Sequence, residues 1–145
     1  MSWERKMLKY SKWAGYVLGL FMIFMGVQKF IGDVPIFVIL EDNLAAKTGI
    51  ELSFIEPVLK YITGGLELIA GVLLLFGKRL PGGLLSIIII GGAIFLHLTI
   101  IGINTPETSA ADANHSPVLF IMAVVSFLIS LWVTHGARKA STMTT

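Results

Sequence analysis

Three ionisable side chains interrupt otherwise uncharged, apolar stretches of this sequence: Lys29, Glu67 and His97. Gln28 and Asn104 stand near them as further polar groups. An ionisable group in an apolar run is costly unless it faces other polar groups or water, so such residues mark ligand sites, proton relays or ion pairs between helices. Glu67 and His97, brought to one place, could share or pass a proton, because histidine titrates near neutrality. With Lys29, Gln28 and Asn104 they form a candidate ligand-binding set, suited to a quinone headgroup or another small polar molecule. A plainer alternative stands beside this one. A Glu–His or Glu–Lys pair can simply lock helix register, and Lys29 can snorkel to an interface or pair with Asp33 one turn on.

Other chemistry is missing from the sequence. There is no cysteine, which excludes disulfides, thiolate metal sites and iron–sulfur ligation by this chain. His97, His115 and His135 lie too far apart to show a close metal-ligand spacing. No phosphate loop, dinucleotide fingerprint, zinc-protease motif or nucleophile elbow occurs. The basic residues gather at the ends of apolar blocks, a pattern that does not suit nucleic acid. No catalytic motif is present, and no cofactor is specified beyond the quinone possibility.

The elements that must position the candidate set are set by composition. Of 145 residues, 55% are hydrophobic and 14% charged, with a mean hydropathy of +0.84. A soluble domain of this length could not bury that much apolar surface. Four blocks carry it, predicting spans at about 13–32, 58–77, 82–104 and 117–135, each near the roughly 20 residues that cross a bilayer. The basic start of the first block also resembles the leading region of a signal peptide. Its apolar stretch is long for one, however, and no small-residue cleavage site follows. The expected fold is an all-α, integral-membrane four-helix bundle in one domain, 1–136, followed by a short, polar, disordered tail, 137–145.

Charge orients the bundle. Arg5, Lys6, Lys9, Lys12, Lys78, Arg79, Arg138 and Lys139 fall on one side if the blocks alternate, while Asp33, Glu41, Asp42, Glu51, Glu56, Glu107 and Asp112 fall on the other. The positive-inside rule then places both termini in the cytoplasm, in a plasma membrane crossed several times. Trp3, Trp13 and Trp132 read as interface anchors. With about 1.5 Å of rise per residue, Lys29 lies near the outer end of its helix, His97 roughly 9 Å and Glu67 roughly 14 Å below theirs. All three can share an outer-side pocket.

Helical spacing agrees. Gly15, Gly19, Met22, Gly26 and Lys29 form one stripe, and Gly64, Glu67 and Gly71 another. Ser86, Ala93, His97 and Asn104 line a third face, and Ser126, Ser130 and Thr134 a fourth. Small residues let membrane helices approach closely. Between the spans, Gly77–Gly83 predicts a tight turn around Pro81 and Gly82. The run Val34–Leu40 is too short to cross and should lie at the interface or cover the bundle mouth. Ser53 and Glu56 read as a capping box opening the second span. Asn104–Pro117 reads as a small polar outer loop, in which the sequon Asn114-His-Ser116 is a chance match because Pro117 follows.

Several of these residues resemble the DoxX family of small four-helix membrane proteins. The resemblance covers Trp13 to about Gly102. It is carried by Gly26-Val-Gln-Lys29-Phe, by Gly64-Gly65-Leu-Glu67-Leu-Ile-Ala-Gly71-Val-Leu-Leu-Leu with the Lys78-Arg79 turn, and by His97. It implies a four-helix bundle and only a loose function. Some relatives are small subunits of a thiosulfate:quinone oxidoreductase, others accompany membrane oxidoreductases, and a similar eukaryotic protein is a receptor-assembly chaperone. The expected function is thus a small subunit or accessory factor of a quinone-linked redox assembly. Its partners would be the lipid bilayer and a membrane oxidoreductase, with a homo-oligomer also open. The alternatives are a non-enzymatic assembly factor or chaperone, and a small-molecule carrier.

Overall fold

The computed structural model describes residues 2–144; Met1 and Thr145, the outer limits of the expected domain and tail, lie outside the described residues. Five helices run in chain order. They are α1 (Trp3–Ile31), α2 (Ile36–Thr48), α3 (Ile55–Leu75), α4 (Arg79–Leu96, continued by a π-helical turn, His97–Ile101) and α5 (Val118–Met143). Between α4 and α5 lies a two-stranded antiparallel ribbon, β1 (Thr105–Pro106) and β2 (His115–Ser116), with Thr105 opposite Ser116. Four helices, α1, α3, α4 with its π turn, and α5, are long and apolar enough to cross a membrane.

These four close a ring. α1 packs chiefly on α3 and α4 chiefly on α5, while α1 also meets α5 and α3 meets α4. Leu18, Met22, Ala70, Leu74, Ile90 and Val133 form the centre. Around them the distribution is the reverse of a soluble protein's. Ser11, Ser86 and Ser130 are fully buried, whereas Ile88 is 71% and Phe95 62% exposed. Ser86 and Ser130 return their hydroxyls to the carbonyls of Gly82 and Ser126, each at 2.8 Å, so no partner on another helix is needed.

The glycine stripes set how close α1 and α3 come. A methyl group on Gly26 would stand 2.8 Å from the Gly64 carbonyl oxygen, and one on Gly71 would stand 2.8 Å from that of Gly19. Backbone therefore rests on backbone along the whole contact, as small residues permit in membrane helices.

Several boundaries differ from the expected spans. α1 starts ten residues earlier than 13, at Trp3, with Ser2 accepting from the Arg5 amide at 3.4 Å, so its basic first turns continue the helix beyond the apolar block. The tail after Gly136 is helical to Met143, not disordered: it lies along α1, where the Lys139 ammonium meets the Glu4 carboxylate at 2.9 Å. The turn between α3 and α4 is shorter than Gly77–Gly83. α4 begins at Arg79, Pro81 sits harmlessly in its first turn, and Gly82 is a packing residue against Leu74. Ser53 does not cap α3. The helix starts at Ile55, and the Glu56 amide donates instead to the Glu41 carboxylate of α2 at 2.8 Å.

The run Val34–Leu40 does cover one end of the bundle, as the start of α2. Phe37 and Leu40 are buried there. Farther along α2, Asn43 and Lys47 donate to the carbonyls of Ile100 and Thr99, both at 2.8 Å. Those carbonyls end a helix and have no partner within it.

Candidate functional site

Lys29 and Glu67 meet beside the Gly26–Gly64 crossing of the glycine seam. One turn beyond Gly26 and one turn beyond Gly64, the Lys29 Nζ donates to both Glu67 carboxylate oxygens, at 2.9 and 2.7 Å. The two residues are 5% and 7% exposed. The Phe37 ring lies 5.9 Å from the ammonium and closes the pair from the α2 side. Taking such a pair out of water is costly unless its hydrogen bonds are made in good geometry, and the two-oxygen contact supplies them. Among the described residues Lys29 makes its ion pair with Glu67 and none with Asp33.

On its other side Lys29 lines a cavity of about 280 Å³ between the ends of α1 and α5, the start of α2 and the β-ribbon. Gln28, half-buried, and Ser116 also line it, as does Thr105. Thr105 is 2% exposed and its hydroxyl has no hydrogen-bond partner. A buried hydroxyl without a partner is unfavourable, by about 1–3 kcal/mol, and Thr105 stands in the wall of this cavity. Asp33 and Glu107 stand at the rim. The ribbon is tied over the cavity by Asp33, whose two carboxylate oxygens accept from the hydroxyl and amide of Ser109. The hydroxyl contributes more than the amide, and together they hold the Asp33 carboxyl below the usual aspartate range.

His97 and Asn104 do not join this set. His97 is buried, at 3% exposure, but its Nδ1 donates to the Gly102 carbonyl at 2.8 Å, and its ring meets Phe120 edge-on at 5.9 Å. Its own carbonyl accepts from the Gly102 amide at 2.9 Å, so the residue brackets the π turn from both its side chain and its backbone. Because a carbonyl only accepts, Nδ1 carries the ring hydrogen. No hydrogen bond joins His97 to Glu67 among the described residues, so the expected proton-sharing pair is not formed. Asn104 is exposed beyond the turn.

Thr105, Ser116 and Phe37 were not marked by the sequence. A hydroxyl in a polar loop looks like any other until a ribbon folds it inward, and Phe37 belongs to a run too short to be read as a span. Among the described residues no three His, Cys, Asp or Glu side chains are grouped to hold a metal ion. No protein-family model, curated protein or solved structure matches the chain.

Proposed function

We propose that the chain is a four-span protein of the plasma membrane with both termini in the cytoplasm, a DoxX-like small subunit or accessory factor of a quinone-linked redox assembly. In this reading the cavity beside Lys29 receives a quinone headgroup from the outer side. The observation that carries the proposal is the cavity whose wall brings together Lys29, Gln28, Ser116 and Thr105, the last with an unpartnered hydroxyl. A quinone offers carbonyl oxygens, which only accept. Thr105, Ser116 and the Gln28 amide can donate to them, while Glu67 keeps the ammonium fixed at the cavity wall. Electrons would pass to or from a partner protein, because the chain has no cysteine and its described residues group no ligand set for a redox metal.

The membrane part of the proposal is supported by the apolar exterior and by the separation of charge. The Glu4–Lys139 pair and the contact of Arg79 with Ser11 at 3.2 Å gather the basic helix ends at one end of the bundle. Asp33, the ribbon and α2 occupy the other. The positive-inside rule assigns the first end to the cytoplasm.

The test uses a substitution that separates binding from folding. Thr105→Val keeps the shape and removes a buried hydroxyl that has no protein partner, so thermal stability should hold or rise slightly. Quinone co-purifying in mild detergent should fall several-fold relative to the unaltered protein. Equal quinone content in both, or none in either, would sink the pocket reading. Crosslinking then identifies the assembly: one stoichiometric oxidoreductase is expected, and several weakly held client proteins would instead favour an assembly factor.

A further inference from the structure

A second concavity lies at the opposite, basic end of the bundle, between α4 and α5. It encloses about 640 Å³, and its walls include Leu84 and Ile87 from α4 and Leu131 from α5. Its end is formed by His135, Arg138 and Lys139. This groove shares no residue with the cavity beside Lys29. Leu84, Ile87 and Leu131 give it apolar walls, and Arg138 and Lys139 put basic side chains at the end, beside Thr134, His135 and Thr142.

The balance of charge at the mouth is specific. Lys139 is engaged by the Glu4 carboxylate at 2.9 Å. Arg138 is exposed and has no ion-pair partner among the described residues. With Lys139 offset by Glu4, one unopposed guanidinium remains beside the groove. A guanidinium presents a planar fork of donors that matches a phosphate. The apolar walls run from that point along the helices, in the direction an acyl chain takes from its headgroup.

We infer that this groove is a binding site for a single anionic phospholipid, its phosphodiester held at Arg138 and an acyl chain laid against Leu84, Ile87 and Leu131. The occupant carries one net negative charge opposite one unopposed positive charge, and an apolar chain opposite an apolar wall. Basic pockets between membrane helices at their cytoplasmic ends suit such headgroups. The assignment rests on the membrane reading above and is independent of the quinone cavity.

Native mass spectrometry of the full chain in detergent tests it, with phosphatidylglycerol and phosphatidylcholine of matched acyl chains titrated separately. The unaltered protein should retain one phosphatidylglycerol at several-fold lower lipid concentration than phosphatidylcholine. Arg138→Gln should weaken phosphatidylglycerol retention roughly fivefold, the effect of about one basic residue near an anionic headgroup. Leu131→Trp, which fills the wall without changing charge, should weaken retention of both lipids. Lys12→Gln, on the same basic end but outside the groove, should change neither. Equal retention of the two lipids by the unaltered protein would overturn the site, as would an undiminished Arg138→Gln or Leu131→Trp. Equal losses in Lys12→Gln and Arg138→Gln would also overturn it, because they assign the effect to dispersed surface charge. Excess inorganic phosphate should leave the bound lipid in place; displacement by phosphate alone would mean a small-anion site and not a lipid one.

Discussion

Lys29 and Glu67 depend on each other in a way that can be measured. Removing one partner strands the other as a buried charge, so Lys29→Met should cost about 3–5 kcal/mol, whereas exchanging both for apolar residues should be close to neutral. Thermal unfolding in detergent checks this, and a double variant as unstable as Lys29→Met would dismiss the pairing as the source of the effect. Asp33 makes a pH-dependent contribution of a different kind. Its carboxyl titrates lower in the folded chain than in the unfolded one because Ser109 donates to it. The stabilisation is therefore complete above the ordinary aspartate value of about 3.9 and is lost as the pH falls from there through the lower folded value. Protection of the Ser109 amide from hydrogen exchange should drop over that interval and show no such drop in Asp33→Asn. At this scale the sequence was legible where charge stood out against apolar surroundings, as at Lys29 and Glu67. It was opaque where a partner is a backbone carbonyl. The Gly102 carbonyl that engages His97 is aimed by a π turn and by the positive φ of Gly102, neither of which has a periodicity to read.

Among the elements, the α1–α3 contact makes the sharpest prediction. A methyl on Gly71 would lie 2.5 Å from Ile23 Cγ1, whereas one on Gly65 meets nothing within 4 Å. Gly71→Ala should thus destabilise the bundle by about 1–3 kcal/mol through overpacking. Gly65→Ala should be neutral or gain up to about 1 kcal/mol of helix propensity. Equal unfolding temperatures for the two variants would contradict backbone-on-backbone packing along this seam. The seam itself was legible, because glycines repeating at helical spacing identify a face. α2 was not. Its apolar run is short, its second half is polar, and it is held as a helix by contacts to other elements: Asn43 and Lys47 to the π turn, and Glu41 to the first turn of α3. The same dependence explains why a local capping box was expected at Ser53 while the real acceptor lies on another helix.

At the scale of the whole molecule, hydropathy and charge were enough to read four long apolar helices, because lipid as solvent demands long uncharged runs. Their arrangement as a ring was beyond reach, since each span has small residues that would suit several neighbours. The proposed orientation is open to direct labelling in a chain with no cysteine of its own. In intact cells Ala111→Cys, on the ribbon side, should react with an impermeant maleimide, and Ser141→Cys, near the end of α5, should react only after lysis. The reverse pattern would invert the topology. The contact of α5 with α1 has one more consequence. With Glu4 and Lys139 paired across that contact, the last helix returns to the first, and the chain has no geometrically privileged starting point. A short linker from the end of α5 to Ser2, with the chain opened between Phe76 and Arg79, gives a circularly permuted protein. It keeps every helix neighbour and leaves the new ends on the same basic side as the old ones.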